Sequence, residues 1–143
     1  RNVPSIGKRR WARFGNEELK LSAIPVNHGD VPAIAWRVDI GDTSAVFTGH
    51  FNNLKNVMPE FAKGTDALVA NHAIPENSRG NQRKLHILPS QLGRIAAQAG
   101  ARMVVLGHRM NRTRGRESQT REHIAKAYDG YVLFANDGEC WGL

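Results

Sequence analysis

Met103-Val104-Val105-Leu106-Gly107-His108 is a short, β-branched apolar run that halts at a glycine and a histidine. The same pattern of an apolar run followed by a small or polar residue and then histidine occurs at Ala45-Val46-Phe47-Thr48-Gly49-His50 and at Ala67-Leu68-Val69-Ala70-Asn71-His72. Runs of this length bounded by turn residues predict buried β-strands. In layered α/β sheets, ligands gather just outside the carboxyl ends of strands. Imidazoles delivered to one sheet edge have the donor chemistry for a metal ion, because neutral imidazole suits zinc and similar cations.

Outward from these runs the pattern alternates between strand and helix. Leu19 to Val26 and Ala33 to Ile40 alternate at the strand period, with Ile34, Trp36, Val38 and Ile40 on one face, and with Ser44–Thr48 they predict a β-meander. Asn27-His28-Gly29-Asp30 and Gly41-Asp42 are its turns. Leu54, Val57, Met58 and Phe61 then fall on one helical face, with Asn52 or Asn53 to cap the start and Gly64 to end it. Pro59 inside that stretch predicts a kink or a short first segment. Residues 73–88 are polar and read as a long loop of the kind that often carries function. Ser90 is placed to cap a helix whose stripe is Leu92, Ile95, Ala96 and Ala99 and whose stop is Gly100. A helix near Glu117–Tyr128 and a strand at Tyr131–Ala135 complete the chain. The expected fold class is α/β (α+β), a mixed sheet with helices on one face. Residues 1–18 are expected to be a basic N-terminal arm and residues 19–143 the folded lobe.

The composition bounds the alternatives. The 143 residues amount to one domain, with 41% hydrophobic and 23% charged residues as in a globular protein. No apolar run approaches the roughly 20 residues that span a bilayer, and no secretory signal is visible, so no membrane partner is expected. The expectation is a soluble protein of the cytoplasm or periplasm. The chain starts at Arg1 without methionine, as a processed chain or a fragment does. Cys140 is the single cysteine, which excludes an internal disulfide. The net charge of +7 is concentrated at Lys8, Arg9, Arg10 and Arg13, and at Arg109, Arg112, Arg114, Arg116 and Arg121. Such clusters attract phosphates, nucleic acid or acidic substrates, and equally serve as a solvated face or a protein contact. No zinc-finger spacing or RNA-binding aromatic signature accompanies them.

The ordered segments Val26-Asn27-His28-Gly29 with Val31-Pro32-Ala33, Val46-Phe47-Thr48-Gly49-His50, Gly64-Thr65-Asp66-Ala67-Leu68-Val69, Leu85-His86-Ile87-Leu88-Pro89-Ser90, Val104-Val105-Leu106-Gly107-His108 and Tyr128-Asp129-Gly130 with Phe134-Ala135-Asn136-Asp137 resemble the C-terminal half of metallo-β-lactamase-fold hydrolases, in the ribonuclease Z and arylsulfatase-like branch. The likeness covers residues 20–140. It implies one lobe of a two-lobed αββα sandwich, with two metal ions, usually zinc, at the edge between the lobes. It implies that His108 is a terminal metal ligand, that His50 stands where the family carries a metal-bridging aspartate, and that His86 matches the histidine that assists phosphodiester cleavage. The His-x-His-x-Asp-His string of the family's other lobe does not occur here. A neutral imidazole in place of a bridging carboxylate normally ligates one metal, so the expected cofactor is zinc as one or two ions, with manganese or iron as alternatives.

The expected function is therefore part of a metal-dependent hydrolase that cleaves an ester-type bond (phosphodiester, sulfate ester or lactone) by metal-bound hydroxide. His50, His108 and His72 are the candidate metal ligands, with a hydrogen-bonded strand-end imidazole the alternative for His72. His86 is the candidate acid/base. Arg109 and Arg112 are candidates for substrate binding. His28 is expected to order its turn, Asp66 to fix the turn into its strand, and Glu76 to orient a histidine or remain a solvated loop charge. The expected partner is an N-terminal lobe or partner chain, with self-association as another way to cover the open sheet face. The competing reading is a degenerate, non-catalytic lobe that binds an anionic partner or nucleic acid.

Overall fold

The computed structural model describes residues 12–143. Lys8, Arg9 and Arg10 of the expected basic arm lie outside the described residues. One seven-stranded sheet runs in sequence order: β1 (Ala12–Gly15), β2 (Leu19–Val26), β3 (Ala33–Ile40), β4 (Thr43–Phe47), β5 (Ala67–Asn71), β6 (Met103–Gly107) and β7 (Tyr131–Phe134). The first four strands pair antiparallel. From β4 to β7 the pairing is parallel. Helices α1 (Met58–Phe61), α2 (Asn81–Leu85), α3 (Pro89–Ala99) and α4 (Glu117–Ala125) lie in the crossovers that the parallel strands require.

Side chains of the parallel strands alternate between two faces. Val46, Leu68, Ala70, Val104, Leu106 and Val132 join the main core with Phe61 of α1, Leu92 and Ile95 of α3 and Ile124 of α4. Ala67, Met103 and Val105 form a much smaller cluster with Ala45, Val69, Leu133 and Ala135. The helices thus cover one face, as the pattern predicts. Gly93 makes the close approach of α3 to α4 possible: a Cβ there would meet the Ile124 carbonyl oxygen at 2.5 Å.

Several local expectations change. Ala12–Gly15, which the pattern places in the basic arm, pairs with β2 in the register Phe14↔Leu21. The helix expected from Leu54 shrinks to Met58–Phe61. Asn53 and Asn56 adopt left-handed φ values of 60° and 47°, which no helix accommodates, and proline fits only a helix's first turn. Leu54 is accordingly 78% exposed. The expected loop 73–88 contains α2, which buries no residue and so leaves no apolar stripe to read. Ser90 does not cap α3; Leu88 occupies the N-cap position with no side-chain bond, its N–H donating to Gln91 Oε1 at 3.2 Å, and Pro89 starts the helix. The Ser90 hydroxyl and backbone N–H instead donate to the Glu76 carboxylate at 2.6 and 2.9 Å, which anchors the preceding loop at the positive end of the helix.

Strand direction positions the site. Strands β2 and β4 both run antiparallel to β3, so they are parallel to each other, and β5 and β6 continue that direction. The carboxyl ends of β2, β4, β5 and β6 therefore lie at one edge of the sheet. His28, His50, His72 and His108 follow those ends in the sequence. Among the described residues, no helix is long and apolar enough to cross a membrane.

Candidate metal centre

Just beyond Phe47, the chain must turn sharply to bring His50 back over the sheet edge. Gly49 makes that turn at φ 61°, and its Cβ, if present, would stand 2.5 Å from the Ile34 carbonyl oxygen. At the end of β6, His108 itself takes the left-handed conformation, φ 47°, which a histidine visits more readily than a β-branched residue. His28 leaves β2 through a turn closed by the Val31 N–H on the His28 carbonyl. His86 follows α2 directly, in extended backbone.

These imidazoles meet. The His50 ring centroid lies 4.9 Å from His28, 5.2 Å from His86 and 4.8 Å from His108. His28 and His86 are 5.2 Å apart. Candidate ligand nitrogens of His28, His50 and His86 all lie within 4.8 Å of one another. The His28 Nδ1 stands 2.6 Å from the Leu85 carbonyl oxygen. A carbonyl only accepts, so the proton is on Nδ1 and the lone pair is on Nε2.

A buried amide holds the three loops together. The Asn52 side chain donates to the Asn27 side-chain oxygen at 2.6 Å and to the Lys84 carbonyl, and its backbone N–H donates to the Asn27 carbonyl at 2.9 Å. Asn52 is 7% exposed. It therefore ties together the segments bearing His28, His50 and His86.

The electrostatics favour neutral rings. Burial lowers the His50 pKa, and the nearby His108 and His28 lower it further. Burial first, then His50, His28, Arg112 and His108, push His86 down to about 4. Rings that stay neutral near pH 7 keep lone pairs for a cation, so this donor set fits a divalent transition-metal ion.

The structure brings His50, His86 and His108 together and adds His28. It does not bring in His72. That ring is 2% exposed, packs 5.3 Å from Phe134 and places Nε2 2.7 Å from the Thr120 hydroxyl of α4. The reason is that it joins the helix-side packing while its backbone carries the next loop. The His72 N–H donates to the Gly107 carbonyl, and the Thr113 hydroxyl donates to the His72 carbonyl. His72 thus fastens the loop after His108. Arg109 is engaged by Glu117 at 2.5 Å and by Asn136 at 2.9 Å. Arg112 is exposed, with Nε donating to the Ala73 carbonyl at 2.7 Å. Asp66 accepts from the Ser44 N–H at 2.8 Å, the turn-fixing role expected of it. His28 and Asn52 are the residues whose part in the site the sequence reading misses. The available signal for His28 was the meander itself, since strands flanking a common antiparallel neighbour end at the same edge.

Comparison with solved structures identifies the architecture. YhfI of Bacillus subtilis, a metallo-β-lactamase fold protein, aligns with a TM-score of 0.78 at 21% identity, covering 94% of this chain and 54% of that one. An isothiocyanate hydrolase from Delia radicum gut bacteria aligns at 0.70 and 12% identity, covering 100% and 59%. Human tRNase Z, short form, aligns at 0.65 and 17% identity, covering 87% and 42%. No protein-family description and no curated protein sequence matches the chain. The fold is that of metallo-β-lactamase fold proteins, and the chain spans about half the length of the solved structures it matches.

Two outcomes follow from this geometry. Asn52→Ala strips the partner from buried polar groups and is expected to cost about 1–3 kcal/mol in urea unfolding. It should also weaken metal binding roughly ten- to hundred-fold, as loss of a ligand's supporting hydrogen bonds does; unchanged affinity would contradict the knot. His72, lowered by burial to about 4 from 6.5, is neutral when folded. Its contribution is complete above pH 6.5 and lost as pH falls toward 4, because only the unfolded state takes up the proton, a loss of about 3 kcal/mol. Urea unfolding between pH 7 and 4.5 should show a shallower pH dependence in His72→Gln than in the parent; equal slopes would contradict this account.

Proposed function

We propose that this chain is the C-terminal lobe of a metal-dependent hydrolase that cleaves an ester-type bond, a phosphodiester, sulfate ester or lactone, with zinc as its metal. The carrying observation is the convergence of His28, His50, His86 and His108 at the strand ends of a metallo-β-lactamase fold. The presence of hydrolases among the structural neighbours supports the same reading.

A bound divalent cation would supply Lewis-acid activation of water and of the scissile group. The chain's own residues would supply the rest. His50 is the central imidazole, in ring contact with the other three. Beside His108 an open groove of about 640 Å³, lined also by Arg109, Arg114, Asn136 and Asp137, gives a substrate room to approach. Exposed Arg112, close enough to lower the His86 pKa, places positive charge where an anionic ester would lie. A larger groove of about 760 Å³ is lined by Arg13, Lys20, Arg37 and Asp39. It borders the amino-terminal half of β2, away from the histidines, and has no part in this proposal.

The second lobe, from the same polypeptide or a partner chain, would pack on the sheet face opposite the helices. Phe47 and Tyr131 are 47% and 75% exposed there or at its border, beside the small Met103–Val105 cluster. The test is hydrolysis of bis(p-nitrophenyl) phosphate, p-nitrophenyl sulfate and dihydrocoumarin by the zinc-loaded protein, alone and joined to a lobe bearing His-x-His-x-Asp-His. At least one substrate should turn over well above the zinc-salt background, and His50→Ala should remove that excess. No turnover in either form would leave the anionic-partner reading in its place.

A further inference from the structure

We infer that His28, His50 and His86 form a complete three-imidazole site for one divalent transition-metal ion, and that His108 stands beside this site rather than in it. The inference rests on the metal-dependent reading above and deepens it by assigning the ion. It also exchanges the roles that the family resemblance implies: His86 becomes a ligand, and His108 is left free to act on substrate.

The distances carry the assignment. Zinc–nitrogen bonds of 2.0–2.1 Å in tetrahedral geometry put neighbouring donor nitrogens about 3.4 Å apart. The Nδ1 atoms of His50 and His86 face each other at 3.5 Å, already at that spacing. Two facing lone pairs repel unless they share a proton or a cation. One ring nitrogen from each of His28, His50 and His86 lies within 4.8 Å of the other two, so His28 completes the set. Among the described residues, His108 is not part of that mutually close set, although its ring touches His50 edge-on.

Its supports are also in place. The Leu85 carbonyl fixes the His28 proton on Nδ1 and so turns the Nε2 lone pair into a donor. Leu85 immediately precedes His86, so one hydrogen bond sets two ligands. Asn52 joins the residue before His28 to a residue just before Leu85. Three neutral nitrogens without a carboxylate favour zinc, cobalt, nickel or copper over magnesium, calcium or manganese. Three protein ligands leave a fourth position open, the arrangement of catalytic rather than structural zinc.

Titration of the purified protein with cobalt(II), followed by zinc competition, tests the assignment. One equivalent should bind with the intense visible absorption of four-coordinate cobalt. His28→Gln and His86→Gln should each weaken binding at least about 100-fold, more than loss of a merely supporting contact. His108→Gln should leave affinity within about three-fold, since it removes no bond to the ion. Circular dichroism of each metal-free variant reports its fold. Nuclear magnetic resonance of the unsubstituted protein needs no variant: zinc should lock the His28, His50 and His86 rings in single tautomers and leave the His108 ring nitrogens without the shift of a metal-bound nitrogen. Binding that depends on His108 but not on His28 would overturn this assignment and leave the hydrolase proposal standing. Absence of any binding would overturn the site whatever the hydrolysis assay showed.

Discussion

The Asn52 amide is buried, and it can be buried only because its hydrogens are taken up by the Asn27 side chain and the Lys84 carbonyl. Those two partners lie on segments far apart in the sequence: one leaves a meander strand, the other ends a short exposed helix. An unmade bond here would leave buried polar groups without partners, at about 1–3 kcal/mol each. The cost is high enough to hold three chain segments in register. His28, His50 and His86 are the residues those segments carry, and the Leu85 carbonyl on His28 draws two of them closer still.

The other wall of the site is built differently. His108 is projected from β6 in a left-handed conformation that costs about 1–2 kcal/mol for a residue with a Cβ. The loop that follows is fastened to the His72 backbone by Met110 and Thr113, and to α4 by the Arg109–Glu117 pair. Backbone strain held by surrounding bonds is common where a side chain must point into open space. His72 serves that loop as a structural anchor. Its imidazole is spent on Thr120, inside the packing between sheet and helices.

Much of this was legible in the sequence, and the failures are physical. The apolar runs ending in His50, His72 and His108 are strands at the predicted places, because period and turn residues agree. The helix stripe of Leu92, Ile95, Ala96 and Ala99 is equally plain, and Gly100 stops it in the left-handed conformation. His72 and His108 stand at equivalent places after parallel strands, since Asn71 pairs with Gly107, and the left-handed backbone of His108, φ 47°, is what separates them; no periodicity in the runs reveals that turn. The contribution of His28 depends on the shared direction of β2 and β4, a property of the sheet and not of the turn that contains it. Asn52 looked like a helix cap because its long-range partners, 25 and 32 residues away, leave no local trace.

The convergence of three imidazoles on one cation is the claim from which the rest follows, and diffraction tests it most directly. Crystals grown with zinc and measured at the zinc absorption edge should show one anomalous peak about 2.0–2.1 Å from a nitrogen of each of His28, His50 and His86, with His108 nearby and unbonded. A peak held by other residues, or rings of His28, His50 and His86 turned apart with no ion among them, would contradict the account.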